Sequence, residues 1–153
     1  MIDYEERLSE HFTLGELLRS GTAIRAGIRN IPSAHPEDGL TDEEVRENLR
    51  QLCLHVLEPL RRRVGRLTIT SGYRCSALNR AVGGVPCSQH LRGEAADIYL
   101  PNEAAGRRYV AVLRQLARCD QILLEPLGAV RKRWLHVSYG RAVRRQKDEN
   151  IKR

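Results

Sequence analysis

An apolar segment with one acidic residue at its centre constrains the fold of this chain more than any other feature. The segment, Ala95-Ala96-Asp97-Ile98-Tyr99-Leu100, has the length and composition of a buried strand. Burying a carboxylate is unfavourable unless the group is paired or bound to a metal ion. His90 lies seven residues earlier, in the turn-like sequence Ser88-Gln89-His90-Leu91-Arg92-Gly93. The pattern therefore predicts a partner for Asp97 and makes His90 a candidate neighbour.

A second histidine lies in another predicted strand. His136 occurs in Trp134-Leu135-His136-Val137-Ser138-Tyr139, where alternation places it on the same face as Trp134 and Ser138. In the preceding predicted strand, Glu125 shares its face with Gln121 and Leu123. If the two strands pair, Glu125 and His136 point into one cleft.

Two imidazoles and one carboxylate form a donor set that suits Zn²⁺. Three protein ligands leave the fourth position open for water, as in catalytic zinc sites. The metal lowers the pKa of that water towards ~7 and polarises a carbonyl group. A nearby carboxylate can then move the proton to the leaving amine, and Glu125 is the candidate for this base. The alternative from the residues alone is that each histidine is an ordinary core or surface residue.

Capping and periodicity predict a mixed fold. Thr13 with Glu16, and Thr41 with Glu44, have the spacing of capping boxes, so we expect a short helix within 11–20 and a longer one from 42. The longer helix is expected to kink or break near residue 58, because of Pro59, and to end at Gly65. Its apolar stripe consists of Val45, Leu49, Leu52, Val56, Leu60 and Val64.

The remaining segments complete the predicted architecture. Strands are expected at 67–70, 95–100, 120–125 and 134–139, and helices at 76–82 and from 102 to about 118. Residues 21–40, rich in Gly and Pro, are expected to be loop. Because no regular βαβ rhythm occurs, the fold class is α+β with a small antiparallel sheet and flanking helices. We expect one domain over 1–140 and a basic, frayed tail over 141–153.

Size and charge limit the function classes. The chain has 153 residues, which suits one domain, and a net charge of +7. A basic surface favours anionic partners without choosing among them, and solvated surface charge is the alternative. Specific nucleic-acid binding is not predicted, because aromatic residues are few and no helix-turn-helix or zinc-finger spacing occurs. No apolar run approaches the ~20 residues of a membrane span, so membrane insertion is not predicted.

Three spaced motifs give the chain a resemblance to the M15 zinc peptidases, which are D-Ala-D-Ala carboxypeptidases and related phage-type peptidases. Residues 70–84, TSGYRCSALNRAVGG, are similar to the family's S-G-Y-R…L-N…V-G-G segment. Residues 88–97, SQHLRGEAAD, match its S-x-H-x-x-G-x-A-x-D signature, and residues 134–138, WLHVS, resemble its W-x-H-x-S element. The likeness, which includes the Ile28-Arg29-Asn30 segment, spans residues 11 to 140 and implies the zinc fold shared with Hedgehog domains.

The resemblance also implies roles for individual residues. It implies one zinc ion per chain, held by His90, Asp97 and His136. Arg74 matches the arginine that grips the terminal carboxylate of the substrate in carboxypeptidase members, which suits a bidentate guanidinium. A structural salt bridge is the alternative for Arg74. Ser88 and Gln89 are implied either to bind substrate or to hold the His90 turn, and Tyr73 either lines the pocket or packs.

The catalytic carboxylate is where this chain departs from many members. They place it a few residues before the last histidine, where this chain has the basic residues Arg131, Lys132 and Arg133. Other members take it from the end of the preceding strand, which here is Glu125. Glu125 is therefore the predicted base, with Glu94 and Asp120 as fallbacks.

The leading function is zinc-dependent hydrolysis of peptidoglycan stem peptides, by a D,D-carboxypeptidase or an endopeptidase. The scissile bond stays open, although Arg74 favours a substrate with a free carboxylate. The alternative function is a zinc-containing binding module without turnover, which the lysine before Trp134, Lys132, motivates. A monomer is favoured, although the sequence does not determine the oligomeric state.

Cellular location and redox state follow from two further features. Residues 1–7 are acidic and mixed, without the pattern of a secretory signal, so we expect synthesis in a cytosol and release to the wall by lysis or a phage-encoded route. No cysteine pair has C-x-x-C spacing, and reduced thiols are the default in a cytosol. A Cys75–Cys87 bridge after release is the alternative.

Overall fold

The computed structural model describes residues 2–140 of the chain. Its centre is a four-stranded antiparallel sheet, which confirms the predicted α+β class. The strand order is β1-β2-β4-β3, with strands β1 (Ile69–Ser71), β2 (Ala95–Tyr99), β3 (Gln121–Glu125) and β4 (Trp134–Ser138). The predicted single domain over 1–140 stays a prediction, and the predicted frayed tail over 141–153 lies outside the described residues.

Six α-helices and three short 3₁₀ turns surround the sheet in the described part of the chain. The helices are α1 (Leu14–Leu18), α2 (Gly21–Ala26), α3 (Asp42–Leu52), α4 (Glu58–Val64), α5 (Ser76–Ala81) and α6 (Glu103–Leu116). The 3₁₀ turns are Pro32–Ala34, Pro36–Asp38 and Gln89–Arg92. None of the helices among residues 2–140 is both long enough and apolar enough to cross a membrane.

Two helix starts follow from their capping residues. Thr13 and Glu16 form the predicted capping box of α1. Thr41 caps α3, because its hydroxyl oxygen accepts a hydrogen bond from the Glu44 amide at 3.1 Å. The prediction that 21–40 is loop is wrong over α2, where Ser20 caps the amide of Ala23. A single capping serine within a Gly-rich stretch is a weak local signal, which explains the error.

Helices α3 and α4 form one helical rod with an irregular turn in its middle. The turn, Cys53–Leu57, is π-helical, and the Glu58 amide donates to the Cys53 carbonyl. Pro59 follows in the first turn of α4, where its missing N–H is tolerated. The predicted break near residue 58 is therefore a change of hydrogen-bond register, and the helix continues to Gly65.

The two faces of the sheet have different roles. On one face, Ile98, Leu135 and Val137 are fully buried, and Leu113 of α6 belongs to the same core. On the other face, the strand register aligns Asp97 with His136 and Glu125 with Trp134. Because directly opposed residues of antiparallel strands point to the same side, these four side chains share the face that is not filled by the core.

Candidate metal centre and active site

Three side chains predicted as ligands converge on one point of the structure. The Nε2 atom of His90 lies 3.4 Å from Oδ1 of Asp97, and the Nδ1 atom of His136 lies 3.1 Å from the same oxygen. One potential ligand atom from each residue lies within 4.8 Å of the others. The side chains of His90, Asp97 and His136 are 2%, 15% and 12% exposed, so the cluster is largely shielded from solvent but not sealed.

The turn that carries His90 forms for local reasons. The Ser88 hydroxyl accepts a hydrogen bond from the His90 amide at 3.2 Å and so begins the 3₁₀ turn. Gly93 ends the turn in the left-handed region, with φ of 73°. A Cβ atom at Gly93 would also lie 3.0 Å from Cγ1 of Val45, so glycine is required there for space as well as for conformation.

The orientation of His90 is fixed by a backbone carbonyl on the opposite side of its ring. Its Nδ1 atom lies 2.7 Å from the carbonyl oxygen of Gly72. A carbonyl can only accept, so Nδ1 carries a proton, and Nε2, which faces Asp97, is the nitrogen that would bind a metal ion. An outer hydrogen bond of this kind is usual for a metal-ligating histidine, because it fixes the tautomer and the ring plane.

The charge state of Asp97 also suits a ligand. Burial alone raises the pKa of this carboxyl, but its hydrogen bonds with His136 and His90 outweigh the burial and hold the pKa well below its usual range. Asp97 is therefore ionised at neutral pH. One carboxylate and two imidazole nitrogens make a donor set that fits Zn²⁺.

Arg74 lies close to this cluster but forms no ion pair with any described residue. Burial lowers the pKa of its guanidinium, and the nearby charges of Asp97 and Glu125 act in the opposite direction. Its Nε atom is buried and has no hydrogen-bond partner among residues 2–140. Neither of the two roles predicted for Arg74, the carboxylate clamp and the structural salt bridge, is tested by these contacts.

Glu125 lies on the same face of the sheet as His136, as strand alternation predicts. Its Oε2 atom accepts a hydrogen bond from Nε1 of Trp134 at 3.1 Å, which orients the carboxylate. Lys132, whose position prompted the binding-module alternative, donates to the carbonyl of Pro126 at 2.9 Å.

The fallback carboxylates are both engaged elsewhere. Asp120 accepts hydrogen bonds from the Gln89 side chain and from the Gly140 amide. Glu94 is 2% exposed and accepts from Nε of Arg92 at 2.6 Å. The Gln89 side chain thereby links the His90 turn to Asp120, and its predicted contact with substrate stays a prediction.

The structure also describes two positions that the sequence analysis left open. Tyr73 is 1% exposed and packs in the core, so its side chain does not line an open pocket. Cys75 and Cys87 are both free thiols in the structure, with Cys75 buried and Cys87 exposed.

A second group of potential ligands lies far from the first along the chain: Glu10, His11 and Glu58. Glu58 is 1% exposed and already accepts hydrogen bonds from the Ser9 hydroxyl at 2.7 Å and from Nδ1 of His11 at 2.8 Å. Its bonds tie the N-terminal segment to helix α4. This network satisfies the buried carboxylate without an ion.

The fold and the convergent trio define a candidate metal-dependent hydrolase. A family model described as Peptidase M15 matches residues 10–138. The match covers most of the chain, which therefore belongs to the M15 peptidase family, as its motifs predict. A search among curated proteins finds no match. M15 peptidases are metal-dependent, and His90, Asp97 and His136 are the residues here that could bind the metal.

Proposed function

We propose that this chain is a zinc peptidase that removes a C-terminal residue from bacterial cell-wall stem peptides, as a D,D-carboxypeptidase. The observation that carries the proposal is the position of Arg74. A half-buried guanidinium, whose Nε atom is fully buried and which has no carboxylate partner among the described residues, lies beside the His90–Asp97–His136 cluster. A substrate that ends in a free carboxylate supplies the anion that Arg74 lacks in the described structure.

The metal would be held by Nε2 of His90, Nδ1 of His136 and the carboxylate of Asp97. When bound there, zinc supplies Lewis-acid polarisation of the scissile carbonyl and makes water a stronger nucleophile near neutral pH. Gly72 keeps His90 in the tautomer that leaves Nε2 free. Asp97 contributes the negative charge that a divalent cation requires.

Proton transfer falls to Glu125. Its carboxylate accepts a proton from the attacking water and then donates it to the leaving amine nitrogen, so that the amine departs neutral. Trp134 orients Glu125 through Nε1, and the sheet register keeps both on the face that carries His136.

Substrate orientation falls to Arg74. A bidentate pair between its guanidinium and the terminal carboxylate fixes the distance from the chain end to the scissile bond. This fixed distance favours removal of one terminal residue over cleavage inside a stem. The Ser88 hydroxyl caps the turn that carries His90. We therefore assign Ser88 the role of holding this turn in preference to the role of binding substrate.

The test is to incubate the zinc-loaded protein with purified muropeptides, with and without a chelator, and to identify products by mass spectrometry. The proposal is supported if one terminal alanine is lost, if the chelator abolishes this loss and if added zinc restores it. Cleavage within the stem keeps the zinc mechanism and removes Arg74 from its assigned role. If none of the muropeptides is cleaved although each chain holds one zinc ion, the binding-module alternative is favoured.

The matched variant is Glu125→Gln, which is nearly isosteric and cannot take the proton. We expect it to keep stoichiometric zinc and to lose turnover by at least ~100-fold, which is the usual contribution of a general base. Full activity of Glu125→Gln would assign the proton transfer to another group.

A further inference from the structure

Asn30 is a buried side chain whose hydrogen bonds lie on both sides of Arg74. It is 8% exposed, although asparagine is mostly a surface residue. Its Nδ2 atom donates to the carbonyl of Tyr73 at 2.8 Å, and its Oδ1 atom accepts from the amide of Cys75 at 2.8 Å. The residue between these two contacts is Arg74.

The same side chain is anchored to the body of the protein. Its second amide hydrogen goes to the carbonyl of Leu18, at the end of helix α1, at 2.9 Å. The three partners are two acceptors and one donor, and they determine which way the side-chain amide is oriented. Both hydrogens of Nδ2 and one lone pair of Oδ1 are therefore used.

Arg74 has a further backbone contact that links it to the metal cluster. Its amide donates to the carbonyl of His90 at 2.9 Å. The backbone at Arg74 is thus held between two fixed points, the Asn30 amide on one side and the His90 turn on the other. The segment is too irregular to be held by strand pairing there, because β1 ends at Ser71 and α5 begins at Ser76.

We propose that Asn30 is the positioning residue for Arg74, and that it thereby sets the preference of the enzyme for a substrate with a free terminal carboxylate. The preference rests on the proposed carboxypeptidase function, whereas the positioning itself does not. Asn30 touches none of the three metal-binding candidates among its hydrogen-bond partners. Its loss therefore affects carboxylate recognition selectively and leaves metal binding intact.

The experiment compares Asn30→Ala with Asn48→Ala. Asn48 is also a buried asparagine, 5% exposed, and its Nδ2 donates to the carbonyl of Arg92. It is a matched control because it supports the other side of the His90 turn and does not bond residues 73–75. Both variants lose a buried side-chain amide, so a general loss of stability affects both.

The functional readout is a ratio of kcat/KM values for two substrates, diacetyl-L-Lys-D-Ala-D-Ala and its C-terminal amide. We expect Asn30→Ala to lower the acid-to-amide ratio by about ten-fold, since a small misplacement of a positioned group has effects of this size or larger. Arg74→Ala removes the guanidinium altogether and should therefore abolish the preference for the acid over the amide. Asn48→Ala is expected to keep the wild-type ratio, and zinc content should stay at one per chain in Asn30→Ala.

A second readout does not depend on turnover. Hydrogen exchange of the peptide that spans residues 72–76 should be faster in Asn30→Ala than in wild type, and unchanged in Asn48→Ala, because the Cys75 amide loses its acceptor only in the former. If Asn30→Ala fails to fold, Asn30→Gln keeps the amide group but displaces it by one methylene, and it is measured in the same way.

The outcomes separate the two proposals. Unchanged exchange at 72–76 overturns the role of Asn30, and so does an equal loss of kcat/KM for acid and amide in an enzyme whose wild type prefers the acid. A wild-type enzyme without any acid preference, together with faster exchange in Asn30→Ala, overturns the carboxypeptidase proposal and leaves the positioning of Arg74 supported.

Discussion

The Nδ1 atom of His90 donates to the carbonyl oxygen of Gly72 at 2.7 Å, and this contact links the two most distinctive motifs of the chain. Gly72 can hold that position only because it has no side chain. A Cβ atom there would lie 2.2 Å from the carbonyl oxygen of Leu17, which is backbone and cannot move aside. The packing of β1 against α1 therefore determines the orientation of a metal-binding candidate.

Gly72→Ala should both destabilise the fold and weaken metal binding. Forcing a methyl group against backbone costs up to about 3 kcal/mol, and loss of an outer hydrogen bond to a ligand costs roughly ten-fold or more in affinity. Urea unfolding and competition with a zinc chelator measure the two effects. Gly21→Ala is the control, because its nearest contact is the flexible end of Arg25 at 3.2 Å. Equal stability of the two variants would contradict the close approach at Gly72.

Asp97→Asn should abolish stoichiometric zinc binding. The substitution preserves shape but removes the ionised oxygen on which His90 and His136 converge. Elemental analysis after dialysis gives the metal content. The control is Glu58→Gln, which changes a buried carboxylate outside the cluster and should keep one zinc per chain. Zinc retention in Asp97→Asn would mean that the metal is held elsewhere.

Trp134→Phe should slow turnover without loss of zinc. The indole Nε1 is the side-chain donor to Glu125, and phenylalanine keeps the aromatic packing but has no donor. Loss of one hydrogen bond to a charged group is worth ~1.5–3 kcal/mol, so we expect kcat to fall about ten-fold or more. The measurement is steady-state kinetics on the acid substrate, with Tyr99→Phe, another aromatic change on the same sheet face, as the comparison. A normal kcat in Trp134→Phe would show that Glu125 is oriented by other means.

Acid should destabilise the protein partly through Glu58. Burial raises the pKa of this carboxyl, but hydrogen bonds from His11 and Ser9 outweigh the burial, so the folded-state pKa lies below its ordinary value. A group of this kind stabilises the fold above its unfolded pKa of ~4.3, and the stabilisation is lost as pH falls through the folded pKa.

Glu58→Gln should therefore lose stability near neutral pH, by ~2 kcal/mol for charged hydrogen bonds, and the difference from wild type should shrink below pH ~4. The pH dependence of this stability difference is measured by urea unfolding between about pH 3 and about pH 7. This range brackets the ordinary carboxyl pKa. The exposed Glu43→Gln is the control. A difference that stays constant with pH would show that Glu58 acts through packing and not through its charge.

Much of the candidate site follows from local patterns. Strand alternation predicts that Glu125 and His136 share a face, because side-chain direction repeats every two residues whatever the strand pairs with. Capping residues predict the starts of α1 and α3 for a similar reason, since a cap involves residues only three apart. The motif residues also point to the M15 family, to which the chain belongs.

Other features could not be predicted from local patterns. Asn30 contacts Tyr73 and Cys75, more than 40 residues away, and no periodicity in the sequence encodes that meeting. The inward direction of Tyr73, and the lack of an ion pair between Arg74 and any residue of 2–140, likewise depend on how an irregular segment crosses the core.

The sequence by itself determined the donor atoms of the site, because ligand chemistry resides in residue types and their spacing along single strands and turns. Tertiary structure decided which of those atoms meet and in which protonation state. The order β1-β2-β4-β3 brings Asp97 beside His136, and the approach of Gly72 to α1 fixes the proton on His90. These are contacts between distant segments, and they exist only after the apolar face of the sheet has been buried.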